Sequence, residues 1–345
     1  MGGFVLRNRD ELRDYGRPYV VAELNTSHFG NLDTARKMID AAKNAGCDCV
    51  KFQSWSAETL YAQGYYRENP IAKRIVGKFS LPESALAELA GYARSIGVAF
   101  SSTPYARREV DFLLERCDPA FVKIASMELN NLPFLDYVAR TGAPTVLSTG
   151  MGDLDEIRRA VDVFAAAGNA NLCILHCVSL YPVANELAQL HNIVGLRDEF
   201  PQHAIGYSDH SRGTELATAA VALGACLVEK HFTLDRQAIG MDNQMATEPD
   251  EMVAMVRHCR TVQQALGTRT RVVSPAELEQ RKKMRRSVVA VRDLAEGTVI
   301  GIEDVDLMRP GTGLPPERMS ALVGRTLARA VRAGELVHES DLTRE

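Results

Sequence analysis

The chain has 345 residues, 46% hydrophobic and 24% charged, a composition that excludes a disordered or fibrous polymer and suits one large domain plus a small one. Its formal charge of −4 predicts no general attraction to nucleic acid or an anionic membrane, although a local basic pocket can still take an anionic substrate. No run of about 18 apolar residues occurs, the opening MGGFVLRNRDELRDYG lacks an apolar signal-peptide core, and the seven scattered cysteines form no C-x-x-C pair; a soluble, cytoplasmic protein with free thiols is expected.

Along the chain, short apolar, β-branched runs recur at 19–24 (YVVAEL), 49–53 (CVKFQ), 98–104 (VAFSSTP), 121–126 (FVKIAS), 144–150 (PTVLSTG), 172–178 (LCILHCV), 204–210 (AIGYSDH) and 227–232 (LVEKHF). Between them lie Ala-rich amphipathic stretches, among them LDTARKMIDAAKNAG, LDEIRRAVDVFAAAG and GTELATAAVALG, with helical spacing and a terminal Gly. Runs apolar on both faces suit a parallel sheet covered by helices, and this alternation predicts a (β/α)8 TIM barrel. The rival open doubly wound sheet needs a Gly-rich phosphate turn after an early strand, and none is evident.

The second unit is oversized. Its excess, SWSAETLYAQGYYRENPIAKRIVGKFSLPES, holds Trp55, Tyr61, Tyr65 and Tyr66 and is expected to overhang the barrel mouth as a lid. The chain thus divides into a barrel at 1–267, a polar and basic connector at 268–286, and a small domain of short strands and Gly/Pro turns at 287–345. That last domain is expected to bury too little core to stand alone, and so to pack on the barrel or on a partner subunit.

Barrels do their chemistry at the carboxyl ends of their strands, and here those ends are polar. They carry Glu23, Lys51, Gln53, Ser101, Ser102, Thr103, Lys123, Ser126, Glu128, Ser148, His176, Ser208, Asp209, His210, Glu229, Lys230 and His231. Lys51 and Lys123 sit among apolar neighbours, where an unpaired charge is costly. With the hydroxyls of Ser126, Ser148 and Ser208 they describe a site for a phosphate and a carboxylate, although pairing with Glu23, Glu128 or Glu229 would also satisfy them. His210 and His231 close adjacent strands, where two neutral imidazoles can hold one divalent ion in an open site. His28, in the first loop, is a possible neighbour.

At these residues the chain resembles the sialic acid synthase family, through VAELNTSHFGN, VKFQ, VKIAS, LSTGM, ILHCVSLYP, GYSDH, VEKHFTLD, Asp242 and TEPDE, in order. The tail resembles its antifreeze-like SAF (β-clip) domain through RRSVVAVRDLAEGTVI and LMRPGTGLPP. The resemblance implies a metal-dependent enzyme that condenses phosphoenolpyruvate with the aldehyde of an N-acyl hexosamine. It implies Mn2+, or Mg2+ or Co2+, on His210 and His231, and phosphoenolpyruvate on Lys51, Thr103, Lys123, Ser126, Ser148 and Ser208. It further implies Glu23 as acid/base, a sugar held by Gln53, Glu128, Ser179, Tyr181 and Asp242, and a swapped homodimer in which Arg309 arrives from the partner's SAF domain. Three positions depart from the family pattern and are expected to border the sugar: Ser27, Ser179 and Asn243. They leave the acceptor open between N-acetylmannosamine and the modified hexoses that lead to legionaminic or pseudaminic acid.

Two other readings stay open. One is a Schiff-base aldolase with Lys51 or Lys123 as its nucleophile; the other is an inactive barrel whose SAF domain binds glycans.

Overall fold

The computed structural model describes residues 2–344, which fall into two compact units divided between Gly267 and Thr268. The first opens with a hairpin, β1 (Gly3–Val5) and β2 (Glu11–Arg13), followed by β3 (Tyr19–Glu23), α1 (Leu32–Asn44) and β4 (Cys49–Ser54). Next come α2 (Gln63–Glu68), α3 (Pro70–Phe79), α4 (Glu83–Ser95), β5 (Ala99–Pro104), α5 (Arg107–Phe112), β6 (Val122–Ile124) and α6 (Leu132–Arg140). The unit ends with β7 (Thr145–Ser148), α7 (Leu154–Ala166), β8 (Leu172–Cys177), α8 (Asn192–Glu199), β9 (Ala204–Asp209), α9 (Glu215–Ala222), β10 (Leu227–His231) and α10 (Pro249–Ala265). Strands β3 to β10 are all parallel and close into a barrel where β10 pairs with β3.

All eight apolar runs of the sequence are barrel strands. They are apolar on both faces because both are buried: the outer face packs on the helices through Val20, Val50, Phe100, Ile174 and Val228, the inner face on a separate cluster. That inner cluster holds Val21, Cys49, Phe121, Val146, Leu175 and Leu227 from the strands, with Phe4, Leu6 and Leu12 of the β1–β2 hairpin plugged beneath them. Asp14 ties the segment after the hairpin to the barrel wall, accepting from Ile205 N at 2.9 Å and Arg197 Nε at 2.8 Å.

Side chains alternate along a strand, so two residues above five of these six strand residues the same inward face carries a polar one: Glu23 above Val21, Lys51 above Cys49, Lys123 above Phe121, Ser148 above Val146, Glu229 above Leu227, with Cys177 above Leu175. Gly206 has no room for a side chain on this face, since a Cβ there would lie 2.5 Å from Leu175 Cδ2 and 2.6 Å from Leu227 O.

The second unit contains α11 (Pro275–Met284), β11 (Ser287–Ala290) and β12 (Val305–Met308), the two strands antiparallel. The connector 268–286 is therefore partly helical: Ser274 caps α11 by accepting from Glu277 N, and none of its residues is buried. The small domain also has a core cluster of its own, including Val288, Leu294, Ile300, Leu314, Leu327 and Val337. Among the described residues no helix is long and apolar enough to cross a membrane.

Candidate active site

A cavity of about 330 Å3 opens at the carboxyl end of the barrel. Its lining includes Glu23, Lys51, Gln53, Thr103, Lys123, Ser126, Ser148, Ser179, Tyr181, Ser208, His210, His231 and Asp242, so these sequence-selected residues meet in one place. Glu128 does not line it; its carboxylate accepts from Asn131 Nδ2 at 2.7 Å at the start of the next helix. Arg309 lies in the second unit, exposed, on the loop after β12. A larger cleft of about 920 Å3 lies at the barrel's other end, but its Arg7, Arg13, Arg17 and Arg94 are each paired with a carboxylate.

Cross-strand register assembles the charged centre. Glu23 stands opposite Lys51 on one side and His231 on the other, and Glu229 opposite Ser208. Lys51 is ion-paired with Glu23, lies 3.7 Å from Glu229 Oε2 and donates to Thr103 Oγ1 at 2.9 Å. Lys123 lies 3.5 Å from Glu229 Oε1, which also accepts from Ser208 Oγ at 2.9 Å. The pairing of the lysines with Glu23 and Glu229, which the sequence left open, therefore exists inside the cavity itself. Glu229 is the central residue that sequence reasoning weighed only as a partner; its place two residues before His231, on the same face, was the available signal.

The two carboxylates are driven apart. Burial raises both, but two ammonium groups and Ser208 hold Glu229 down at about 2, whereas for Glu23 burial and the Glu229 charge outweigh Lys51 and lift it to about 7. Burial also opposes the charge of Lys51, yet Glu229 and Glu23 outweigh it and push that ammonium up; at Lys123 burial prevails and the displacement is downward. Among the described residues the buried hydroxyls of Ser148 and Ser179 have no hydrogen-bond partner, as expected of groups that wait for a ligand oxygen. A Cβ on Gly150 would collide with Ser179 Oγ and lie 2.9 Å from Ser126 Oγ, so only glycine leaves this wall open.

The imidazoles of His210 and His231 stand with ring centroids 5.4 Å apart at 67°, and the Tyr181 ring lies tilted at 37° with its centroid 4.3 Å from that of His210. His210 Nδ1 lies 2.8 Å from Val178 O; a carbonyl only accepts, so Nδ1 carries the proton. Burial and the neighbouring His210 hold His231 well below the ordinary histidine range. Burial also disfavours a charged His210, but Cys177 and Val178 O outweigh it and hold that ring above its ordinary range, so a cation at Nε2 would compete with a proton there. Two imidazole nitrogens, one with its tautomer set by a main-chain carbonyl, fit a divalent ion in an open site. Among the described residues no group of three or more His, Cys, Asp and Glu side chains could hold a metal.

The remaining expectations divide. His28 is buried outside the cavity, its Nδ1 accepting from Gly30 N at 3.0 Å, and is no neighbour of the histidine pair. Of the three departures from the family pattern only Ser179 lines the cavity. Ser27 is buried beneath the first loop, and Asn243 donates to Asp235 O at 2.5 Å and Ala238 O at 2.7 Å, tying its own loop together. From the oversized unit, Trp55, Leu60 and Tyr61 reach the cavity, while Tyr66 packs with Trp55, Val76 and Phe79 in a small core and Tyr65 is exposed. Asn25, unselected by sequence, hydrogen-bonds Asp242 and donates its main-chain N–H to Glu23 Oε1 at 2.8 Å.

A closed parallel barrel whose carboxyl end gathers two ammonium groups, a divided carboxylate pair and two imidazoles belongs with the (β/α)8 enzymes, which place their chemistry at that face. More narrowly, the chain belongs to the NeuB family: residues 38–271 match that family and residues 285–343 match the SAF domain. It is 37% identical over 329 residues to N,N'-diacetyllegionaminic acid synthase of Legionella pneumophila, covering 92% of each chain. It is 34% identical to human N-acetylneuraminate-9-phosphate synthase, covering 93% of this chain and 91% of that one. The crystal structure of spore coat polysaccharide biosynthesis protein SpsE from Bacillus subtilis superposes with a TM-score of 0.69 at 31% identity, over 100% of both chains.

Proposed function

We propose that this protein condenses phosphoenolpyruvate with the open-chain aldehyde of an N-acyl hexosamine, N-acetylmannosamine or a modified diacetamido hexose, to give a nonulosonic acid and phosphate. The observation that carries the reading is that two buried ammonium groups, the unpartnered Ser148 hydroxyl and two imidazoles line one cavity. Lys51, Lys123, Thr103, Ser126, Ser148 and Ser208 bind the phosphate and carboxylate. Gln53, Ser179, Tyr181 and Asp242 orient the sugar, with Glu128 at the border and Arg309 contributed by a partner subunit in a swapped dimer. His210 and His231 hold the divalent ion, Mn2+ or in its place Mg2+ or Co2+, which when bound supplies Lewis acidity towards the aldehyde oxygen.

C3 of phosphoenolpyruvate forms the new bond to the aldehyde carbon, whose oxygen takes a proton from solvent, and C2 becomes cationic. Water adds at C2 and gives one proton to Glu23, and as the C2–O bond to phosphate breaks the remaining hydroxyl proton passes to the departing phosphate, leaving the ketone. Lys51 and Lys123 stabilise the departing phosphate. The seven cysteines, all buried and free, support a reducing, cytoplasmic location.

The test is phosphate release from phosphoenolpyruvate with a panel of hexosamine derivatives and Mn2+. Turnover is expected with at least one acceptor, to vanish on exhaustive chelation and to be abolished in His210→Ala and His231→Ala, both still folded because an open site is not structural. Full turnover after chelation would refute the metal role, and no phosphate release with any acceptor would refute the reaction.

A further inference from the structure

The strand ends that carry the two histidines are joined by a charge pair that stands outside the active-site cavity. Lys230 on β10 stands opposite Asp209 on β9, and alternation turns both away from the cavity while Ser208 and Glu229 face it. Lys230 Nζ donates to Asp209 Oδ2 at 2.8 Å and to Ser211 O at 2.6 Å. Asp209 Oδ1 accepts from Ser211 N at 2.9 Å, Ser211 Oγ at 2.7 Å and Tyr207 OH at 3.3 Å. Lys230 and Asp209 are each 1% exposed and Ser211 is fully buried.

A pair this dry is a poor source of stability, because the desolvation of two ions offsets their attraction and apolar replacements are often neutral or better. Its value lies in what it fixes. The hydrogen bonds of the ammonium fall on residues 209 and 211, the two neighbours of His210, and the ammonium itself belongs to the residue before His231. One buried group therefore clamps the main chain on both sides of one imidazole to the main chain that carries the other.

We propose that Lys230, Asp209 and Ser211 form the positioning device for His210 and His231, setting the separation and tilt of two nitrogens that must meet on one divalent ion. This rests on the metal reading given above. Residues behind a metal ligand typically change metal affinity about 10–100-fold when lost.

The experiment measures Mn2+ affinity by electron paramagnetic resonance titration, with the thermal midpoint and metal-free phosphoenolpyruvate binding as controls. Lys230→Met alone strands a buried carboxylate and is expected to fold poorly. The Asp209→Leu/Lys230→Met double variant removes both charges, and Asp209→Asn keeps Oδ1 as an acceptor and is the milder change. Expected are folded variants with midpoints below the parent's, because the double variant leaves the donors to Asp209 Oδ1 unpaired and Asp209→Asn leaves the Lys230 ammonium without its carboxylate, with phosphoenolpyruvate affinity within about twofold and Mn2+ affinity weakened about 10–100-fold in the double variant and less in Asp209→Asn. Parental Mn2+ affinity in either folded variant overturns the clamp while leaving the metal reading intact. Absence of Mn2+ binding by the unaltered protein overturns both.

Discussion

Glu23 and Glu229 share Lys51 yet titrate far apart, and a carboxyl poised near neutrality beside an ionised one is how environment divides acid and base roles between like groups. Because Glu23 is lifted from 4.5 to about 7, the folded state holds that proton more tightly than the unfolded chain. Its contribution to stability is thus fully present below about 4.5, falls as pH rises, and is lost above about 7. The thermal midpoint of Glu23→Gln is accordingly expected to gain on the parent's between pH 5 and pH 8; a constant difference would refute the shift. If Glu23 accepts the proton of the attacking water, kcat/KM of the parent should rise with pH through about 7, and Glu23→Gln should be slow and lack that limb. The lysines separate the leading reading from the aldolase. Lys123, pushed down by burial, is the one whose amine an imine mechanism would use. Lys51→Met and Lys123→Met should each lose about 1.5–3 kcal/mol of anion binding, roughly 10- to 100-fold in the KM for phosphoenolpyruvate. Borohydride treatment with pyruvate should leave no mass adduct, and a trapped imine at either lysine would establish the aldolase instead.

At the scale of elements, the segment between β4 and α2 is stitched to the turn after β5 by one buried carboxylate. Glu109 accepts from Thr59 Oγ1 at 2.6 Å, Tyr105 N at 2.6 Å and Ala106 N at 3.1 Å, and Trp55, Leu60 and Tyr61 of that segment line the cavity. Glu109→Ala leaves buried donors unpaired at about 1–3 kcal/mol each. Amide exchange across 55–62 should quicken and the KM for the acceptor rise several-fold, with metal-free phosphoenolpyruvate affinity little changed; unaltered exchange would show that the segment is held by its own packing. The barrel strands were legible because burial on both faces writes an apolar run into each. The β1–β2 hairpin was not, since three-residue strands carry no periodicity and Phe4, Leu6 and Leu12 gain meaning only as a plug beneath a closed barrel. Nor was α11, which buries nothing and so has no apolar face to announce it. The site was legible as a set of strand-end polar residues, but that set mixed the two faces: Glu229 belonged to the cavity, while Lys230, Asp209 and His176 turn outward, and only counting by twos from the plug residues separates them.

At the scale of the whole molecule, the question is which chain completes each barrel mouth. The second unit carries its own core, so its placement is not forced by a need to hide apolar surface, and the resemblance rather than packing is the ground for exchange between subunits. Arg309 is exposed on the loop after β12, where a planar guanidinium can offer several donors at once to sugar oxygens. If it serves a partner's barrel, the smallest complete unit is a dimer, closed because two identical exchanges satisfy each other. Mixing Arg309→Ala and His231→Ala chains distinguishes the arrangements. With Arg309 acting in trans, a heterodimer has one site that draws a sound histidine from one chain and a sound arginine from the other, and a second site with both lesions. Random exchange then restores about a quarter of parental activity from two weak parents. With Arg309 acting in its own chain, every site carries one lesion and no mixture recovers. Activity that stays at the parents' level, after exchange has been verified with differently tagged chains, would return Arg309 to its own barrel or to solvent.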